Sequence, residues 1–425
     1  MIRLMKFGAV PPEEIFARAV PEIDVSAVVA DILRNVRTRG DAALLEYNEK
    51  FEKAKLDALE VSAQEFDDAL KATDPAFLAI LERAAANIRA FHTKQVREGF
   101  RMDLGGRILG QKVLPIEKVG LCVPGGVTPL SSTVLMDAIP AKIAGCSELT
   151  MVTPPRADGT IDASILAAAK VAGVDRVFKL GGAQAVAALA YGTESVPKVD
   201  KIVGPGGAFV AEAKRQVFGC VSIDMIAGPS EVLVLADGKS DPAFVAADLL
   251  SQAEHDKLAA AVLVTDSEAL AEAVQAEIER QLPLLAREEI ARASVEHNGK
   301  IIVTDDLDAA VDVANAIAPE HLELCVDDPF RYLERIRNAG SVFLGRSCPE
   351  ALGDYYAGAN HTLPTSGTAR FSSPLSVDDF VKKTQFIYYS DEALYTAADD
   401  VAAFARQEGL TGHARSVTIR KEKAK

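Results

Sequence analysis

The chain has 425 residues, of which 49% are hydrophobic and 25% are charged, proportions typical of globular proteins that exclude long disordered or fibrous architectures. At roughly 150 residues per domain, this length predicts two or three domains with large buried cores. Lys and Arg total 46 against 61 Asp and Glu, so the net charge of −15 has the wrong sign for a protein that binds nucleic acid by neutralising phosphates.

Targeting and redox signals are weak in this sequence. The N-terminal MIRLMKFGAVPPEE lacks the apolar core of a secretory signal, and apolar runs such as LAAAVLV at 258–264 are shorter than the roughly 18 residues that span a bilayer. The five cysteines are odd in number and form no CxxC pair. We therefore expect a cytoplasmic protein with no membrane partner and no disulfide framework.

The first quarter of the chain is predicted to be helical, and the remainder alternates between strands and helices. Apolar residues recur with helical spacing in VSAVVADILRNVRTRG and AFLAILERAAANIRAFH. From residue 118, short β-branched runs begin near 119, 148, 176, 200 and 220, and a second series begins near 231, 261, 301 and 341. Helical patterns separate most of these runs, which predicts βαβ units and parallel sheets.

We therefore expect an α/β protein with two incomplete Rossmann-like parallel-sheet domains and small N- and C-terminal extensions. The expected boundaries are an N-terminal arm at 1–20, a first α/β domain at 21–112 with 233–370, a second at 113–232, and a C-terminal tail at 371–425. Residues 345–380 are rich in Gly, Pro, Ser and Thr, and long loops of this kind inside compact domains are usually functional or disordered. Asp354 and His361 lie in this loop, so we favour function.

Three glycine clusters follow predicted strands and lead into helices. They are PGG at 124–126, GGAQA at 181–185 and GPGGAF at 204–209. Free N–H groups and the helix dipole suit phosphate at such positions, although a single cluster is more often only a tight turn. Three clusters within one domain favour ligand binding.

Gln252 and His255 lie three residues apart near the end of a predicted helix, so both side chains can occupy one face. Histidine is the commonest protein metal ligand, but a lone helical histidine is more often a surface or core residue. A metal site would need further ligands. Asp354, His361 and His413 are candidates because each lies in an irregular, glycine-flanked segment.

Glu320 and His321 are adjacent and follow a proline that ends a predicted helix. A carboxylate and an imidazole side by side can act as two separate bases, although this pair alone would be taken for a solvated loop. His92 and His297 lie in a helical surface pattern and a polar turn, and we expect both to be structural.

Taken together, eight segments in this order resemble the L-histidinol dehydrogenase family, over nearly the whole chain. They are RGDAALLEYNEKF, VPGGVTPLSSTVLM, KLGGAQAVAALAYGTESVPKVDKIVGPG, IDMIAGPSEVLV, DLLSQAEHD, APEHLEL, GDYYAGANHTLPTSGTARFSSPLSVDDF and EGLTGHARSV. The resemblance implies the NAD-dependent oxidation of L-histidinol to L-histidine through the aldehyde, at the end of histidine biosynthesis.

The resemblance also implies one Zn²⁺ per subunit, held by Gln252, His255, Asp354 and His413. It implies substrate contacts from these four residues and from Ser230, His321, His361 and Glu408. The tail at 371–425 is implied to reach the neighbouring subunit, which would make a domain-swapped homodimer with shared sites.

In this family His321 is the expected base for the alcohol proton, and Glu320 the expected base that activates water on the aldehyde. NAD is the implied cofactor, bound on the side of the domain at 113–232, with Gln184 as a matched contact. At two other cofactor positions the chain departs from the usual residues, with Cys122 in place of Tyr and Gly207 in place of Asn. These departures predict altered dinucleotide binding.

Two other functions remain open at this point. One is a family relative that oxidises another polar alcohol, such as a sulfonated diol. The other is a dimeric metal-binding module without redox activity, which the two cofactor-site departures would favour and the Glu320–His321 pair opposes.

Overall fold

The computed structural model describes residues 1–18, 24–126 and 128–423. The end of the expected N-terminal arm at 19–20, the first residues of the expected first domain at 21–23, Val127 of the VPGGVTPLSSTVLM segment, and the last two residues of the tail lie outside the described residues. The described parts of Met1–Gln95 and Ile116–Phe380 form one compact unit, and those of Val96–Pro115 and Val381–Lys425 form another.

The strands are short, as in most α/β proteins. In chain order they are β1 (Arg3–Lys6), β2 (Phe100–Asp103), β3 (Arg107–Pro115), β4 (Lys118–Cys122), β5 (Glu148–Thr153), β6 (Arg176–Lys179), β7 (Lys201–Val203), β8 (Ser222–Ile223), β9 (Glu231–Ala236), β10 (Ala260–Thr265), β11 (Lys300–Val303), β12 (His321–Cys325), β13 (Ser341–Leu344) and β14 (Val381–Tyr389).

The helices occupy most of the intervals between strands. They are α1 (Pro12–Ile15), α2 (Ser26–Arg39), α3 (Asp41–Tyr47), α4 (Ala63–Ala72), α5 (Pro75–Thr93), α6 (Ser131–Ala144), α7 (Ala163–Ala172), α8 (Gly182–Tyr191), α9 (Ala208–Val217), α10 (Pro242–Ala253), α11 (Glu268–Gln281), α12 (Glu288–His297), α13 (Leu307–Ile317), α14 (Pro329–Leu333), α15 (Glu350–Leu352), α16 (Asp391–Gln407) and α17 (Thr411–Lys423).

A six-stranded parallel sheet, called here sheet A, has the order β1-β11-β10-β9-β12-β13. Its central strand β9 is buried along its whole length. Val232 and Val234 pack with α10 on one face, and Leu233 and Leu235 pack with α13 on the other. A parallel strand covered on both faces gives a continuous apolar run, which is why EVLVLA predicts this strand correctly.

A five-stranded parallel sheet, sheet B, has the order β6-β5-β4-β7-β8. The order reverses between β4 and β7, because β5 and β6 extend one side and β7 and β8 the other. Crevices at such reversals, outside the carboxyl ends of the strands, are where open α/β sheets bind ligands. The two parallel sheets confirm the expected α/β class.

Helices α2 to α5 pack on sheet B, whereas the expected domain boundaries grouped them with the strands of sheet A. Val29 and Leu44 share a core with Phe178 of sheet B, and Leu81 shares one with Val119 of the same sheet. The sequence placed 21–112 with 233–370. Amphipathic periodicity shows which face of a helix is apolar, but it does not show which sheet will receive that face.

The second unit contains an antiparallel sheet with the order β14-β3-β2, followed by α16 and α17. Strands β2 and β3 lie in a range that the sequence predicted to be helical, and β14 lies in the expected tail. Residues 110 and 386 are partners in this sheet, so its pairing joins segments far apart in sequence. Among the residues that the structure describes, no helix is both long and apolar enough to cross a membrane.

Candidate active site

Glu320 and His321 lie where α13 gives way to β12, at the amino end of a central strand of sheet A. Ala318 adopts a left-handed conformation with φ 51° that ends α13, and Pro319 follows it. The chain then enters β12 at His321, which is in register with Val232 of β9. Both residues are buried, with 5% and 3% of their surfaces exposed.

The main chain of Glu231 holds both members of this pair. Its N–H donates to Oε2 of Glu320 at 2.8 Å, and its carbonyl oxygen lies 3.1 Å from Nδ1 of His321. A carbonyl oxygen can only accept, so Nδ1 carries the hydrogen. Nε2 of His321 then faces Asp354, with 3.3 Å between it and Oδ1.

Burial and mutual charge shift both pKa values. Burial raises the pKa of Glu320 to about 7, against the opposing effect of the neighbouring His321. Burial alone would lower the pKa of His321, but the carboxylates of Glu320, Glu350 and Asp354 outweigh it and raise that pKa to about 10. A cation that engaged those carboxylates would act in the opposite direction.

Gln252 and His255 lie at the end of α10, which begins at Pro242 behind the capping side chain of Asp241. Gln252 is 1% exposed in the last turn of the helix, whereas His255 follows the helix end and is an exposed residue. The surrounding protein partly removes the imidazole from water, which lowers the pKa of His255 and favours the neutral form that binds metals.

Asp354 belongs to a single π-helical turn at Gly353–Ala357, directly after α15. Ligand atoms of His255, Glu350 and Asp354 all lie within 4.8 Å of one another. Burial acts to raise the pKa of Asp354, but the facing His321 holds it below its usual value. One imidazole and two carboxylates form a nitrogen and oxygen donor set that suits Zn²⁺.

Two buried polar atoms at this cluster lack a hydrogen-bond partner among the described residues: Nε2 of His321 and Oε2 of Glu350. Unpaired buried atoms are costly, so an atom of this kind calls for a ligand or another explanation. The cluster therefore fits a divalent cation on its own geometry. Gln252 adjoins it: with its amide oriented to satisfy both neighbours, its nitrogen is 2.6 Å from Oε1 of Glu350 and its oxygen 2.9 Å from the Glu231 nitrogen.

His361 contacts both the metal-site cluster, at Asp354, and helix α6, at Thr133. Its Nδ1 lies 3.0 Å from the carbonyl oxygen of Asp354, and its Nε2 lies 3.3 Å from the hydroxyl of Thr133 on α6. The neighbouring residues are bound to α6 as well, because Asn360 donates to the carbonyl of Met136 and Thr362 donates to Asp137. This segment thus lies between α6 and the amino edge of sheet A.

Of three other expected substrate residues, one adjoins the site and two lie in the second unit. Ser230 directly precedes Glu231 at the amino end of β9, beside the Glu320–His321 pair. Glu408 and His413 belong to the second unit and are exposed, Glu408 at the end of α16 and His413 in the first turn of α17. The first unit by itself brings together Gln252, His255, Glu320, His321 and Asp354.

The expected cofactor positions lie along the carboxyl edge of sheet B. Gln184 is buried in the first turn of α8, and within the described residues its Nε2 has no hydrogen-bond partner. Cys122 ends β4 in the core, where burial raises the pKa of its thiol to about 12. Gly207 precedes α9, and a Cβ there would meet nothing within 4 Å, so the glycine is not required by packing.

A buried ion pair clamps the loop between β7 and α9. Lys214 is bound to Asp224, with 2% and 1% of the side chains exposed. Lys214 also donates to the Gly204 carbonyl at 2.9 Å, and Asp224 accepts from the Gly204 N–H at 2.8 Å. Gly204 has φ 108°, and a Cβ there would lie 2.2 Å from the Cys122 carbonyl oxygen, so only glycine fits.

The sequence analysis missed Glu350, Glu231, Lys214 and Asp224. Glu350 lies in PEALGD, where neither spacing nor periodicity marks it. Glu231 acts through its main chain, which leaves no sequence signal. The two histidines expected to be structural lie on helices: His92 is buried on α5 beside Gln95, and His297 ends α12.

The sequence and the fold of this chain are both similar to those of known proteins. A family model described as histidinol dehydrogenase matches residues 17–421. The histidinol dehydrogenase of Geobacillus kaustophilus is 56% identical over 396 residues, 93% of each chain, and that of Syntrophotalea carbinolica is 54% identical over 428 residues, 99% of each chain. The crystal structure of histidinol dehydrogenase from Elizabethkingia anophelis superposes with a TM-score of 0.94 at 37% identity, covering 100% of this chain and 98% of that one.

Proposed function

The chain belongs to the histidinol dehydrogenase family, and from this premise we propose which of its residues perform each part of the reaction. The family catalyses the NAD-dependent oxidation of L-histidinol to L-histidine in two steps. The chain is accordingly an NAD-linked oxidoreductase of histidine biosynthesis that acts on a small molecule.

His321 is the proposed base of the alcohol step. Its Nδ1 hydrogen is engaged by the Glu231 carbonyl, so Nε2 is the atom that accepts the alcohol proton as hydride leaves the carbon. This role requires Nε2 to be unprotonated, which a cation bound to the neighbouring carboxylates would favour by lowering the pKa of His321. The same atom has no hydrogen-bond partner within the described residues and faces the cluster around Asp354. His321 assists again when the hydrated aldehyde is oxidised.

Glu320 is the proposed base of the aldehyde step. Its pKa of about 7 lies where a general base is most effective near neutral pH. One carboxylate oxygen is held by the Glu231 N–H, so the other is the atom that takes a proton from water as the water adds to the aldehyde carbon. Hydration gives a second carbinol C–H, from which a second hydride can leave.

A zinc ion is the proposed metal, with Gln252, His255 and Asp354 as its ligands from the first unit and His413 as the ligand from the tail. When bound, the zinc would orient the imidazole and amino groups of histidinol. The support is the donor chemistry of the cluster and the unpaired Glu350 oxygen beside it. Gln252, His255, His321, Asp354 and His413 would then also line the substrate.

Further substrate contacts are proposed for Ser230, His361 and Glu408, and a cofactor contact for Gln184. We place NAD at the carboxyl edge of sheet B, where the strand order reverses, so that 113–232 is the dinucleotide side. Glu408 and His413 would serve the neighbouring subunit of a domain-swapped homodimer, with 371–425 as the dimerisation tail. The protein would work in the cytoplasm.

The observation that supports these roles is that the main chain of Glu231 hydrogen-bonds to both Glu320 and His321, next to the cluster of His255, Glu350 and Asp354. The test is the yield of NADH per histidinol in the presence of Zn²⁺. Two equivalents are expected, because both oxidations occur at one site. A single equivalent with free aldehyde would overturn the role of Glu320, and no turnover of histidinol alongside turnover of another polar alcohol would overturn the substrate.

A further inference from the structure

Glu350 is the feature of the site that the reaction scheme leaves unused. It begins α15 and is 2% exposed, so its carboxylate is almost completely removed from solvent. Its N–H donates to Oε1 of Glu323 at 2.7 Å, which fixes the main chain at this point. A buried carboxylate is retained only where hydrogen bonds, a proton or a cation compensate its charge.

The compensation that the described residues provide is incomplete. Oε1 of Glu350 has the Gln252 amide as a neighbour at 2.6 Å, while Oε2 has no hydrogen-bond partner there. No Lys or Arg is paired with Glu350 within the described residues. The charged groups around it include His321, which opposes its charge, and the acidic Asp354 and Glu320, which add negative charge to the same region.

The direction of this side chain supplies a second observation. A carboxylate oxygen of Glu350 lies within 4.8 Å of ligand atoms of both His255 and Asp354. Two metal–ligand bonds of about 2.0–2.2 Å separate donor atoms by up to about 4.4 Å, so small side-chain adjustments would let all three reach one Zn²⁺. All three residues belong to the first unit, so this set needs no residue of the tail.

On these grounds, and resting on the proposed zinc site, we propose that Glu350 is a further donor to the bound cation, so that His255, Glu350 and Asp354 of one subunit can hold it without His413. The Gln252 amide then faces a cation rather than a lone carboxylate. Its oxygen turns towards that cation, because an amide nitrogen offers no lone pair to a metal.

The test is the affinity of the full chain for Zn²⁺ alone, measured after removal of metal by competition with a chromophoric chelator. Glu350→Gln keeps the size of the side chain and an oxygen that can accept from Gln252, but it removes the anionic donor. We expect it to weaken Zn²⁺ binding by about 100-fold, the upper end of the range for residues that support a metal ligand. Glu350→Asp keeps the charge on a shorter side chain, so its affinity for Zn²⁺ should lie between those of the wild-type protein and Glu350→Gln.

Glu254→Gln is the matched control, because it removes a carboxylate next to His255 that lies outside the three-residue cluster. An equal loss of affinity in this variant and in Glu350→Gln would mean a general charge effect and would overturn the inference. Normal affinity in Glu350→Gln with weak binding in Glu350→Ala would show that Glu350 only positions Gln252, which also overturns it.

His255→Asn separates this inference from the site on which it rests. If His255→Asn binds Zn²⁺ normally, the proposed zinc site itself is wrong and the donor role of Glu350 falls with it. If His255→Asn loses binding while Glu350→Gln does not, only the inference fails. The visible spectrum of bound Co²⁺ provides a second readout, and it should change in Glu350→Gln and stay unchanged in Glu254→Gln. Thermal unfolding of each variant checks that it is folded.

Discussion

The main-chain carbonyl oxygen of Glu231 accepts the Nδ1 hydrogen of His321 across 3.1 Å. The N–H of the same residue donates to Glu320. Both proposed bases are therefore oriented by one peptide segment at the start of β9, and the side chain at position 231 takes no part in either contact. A buried strand moves little, so this arrangement keeps the two bases in fixed positions for two successive oxidations.

Replacement of His321 by Asn should stop the reaction at the alcohol. Asn cannot accept the alcohol proton as a base, and loss of a general base typically lowers the rate by about 10²–10⁴-fold. Single-turnover measurement of NADH formation from histidinol checks this. A His321→Asn enzyme that forms the first NADH at the normal rate would contradict the assignment.

Replacement of Glu320 by Gln should chiefly impair the aldehyde step. Gln retains the contact with the Glu231 N–H but cannot take a proton from water, so a loss of about 10²–10⁴-fold is expected for aldehyde oxidation. The comparison is between histidinol and histidinaldehyde as starting substrates. Equal damage to both steps would rule out the division of labour.

Replacement of Thr133 by Val should weaken the binding of histidinol without affecting NAD. The Thr133 hydroxyl lies 3.3 Å from Nε2 of His361, and loss of one such hydrogen bond costs about 1 kcal/mol, or roughly fivefold in KM for histidinol. Thr93→Val on the exposed end of α5 is the control. The prediction fails if the KM values for histidinol and NAD rise together.

Replacement of Asp137 by Asn should make stability less sensitive to alkaline pH. Burial, aided by the charge of Asp224, raises the pKa of Asp137 well above its ordinary value, so the folded protein holds a proton that the unfolded chain releases. The wild-type protein therefore loses stability as pH rises through the range above the unfolded pKa of about 3.9. The Tm of the Asp137→Asn variant relative to wild type should increase between about pH 5 and about pH 9, and a constant difference would refute this.

Replacement of Lys214 by Met should be strongly destabilising. It leaves the carboxylate of Asp224 buried without its partner, and breaking a buried pair in this way costs about 3–5 kcal/mol. Urea unfolding measures the loss. Lys239→Met, which removes an exposed partner of Asp327, should change the unfolding midpoint little.

Most of the fold follows from local sequence patterns, whereas strand β12 and the antiparallel sheet do not. Strands such as β9 are buried on both faces and read as apolar runs. The sequence of strand β12 is not a continuous apolar run, because Glu323 lies within it and is buried at 1% exposure. Strands β2 and β14 are mostly exposed, so neither shows a buried face, and their sheet depends on pairing between distant segments.

The candidate site is predictable to the extent that its residues carry a recognisable sequence signal. Gln252, His255, Asp354, Glu320 and His321 could be named from motifs, and they come together in one unit. Glu350 could not be named, because only the fold brings α15 beside α10. The roles of Glu408 and His413 stay predictions that depend on a second subunit.

The hydrogen bonds that tie residues 360–362 to α6 connect positions 224 to 228 apart in sequence. Contacts of such long range form late in folding, because closing the large loop between them costs chain entropy before the contacts can stabilise the structure. Apart from β1, which pairs Arg3 with Lys300, the strands of sheets A and B pair over shorter separations and can form before this happens. During refolding, secondary structure should therefore return before activity, and an intermediate with both sheets formed but not yet joined would be inactive.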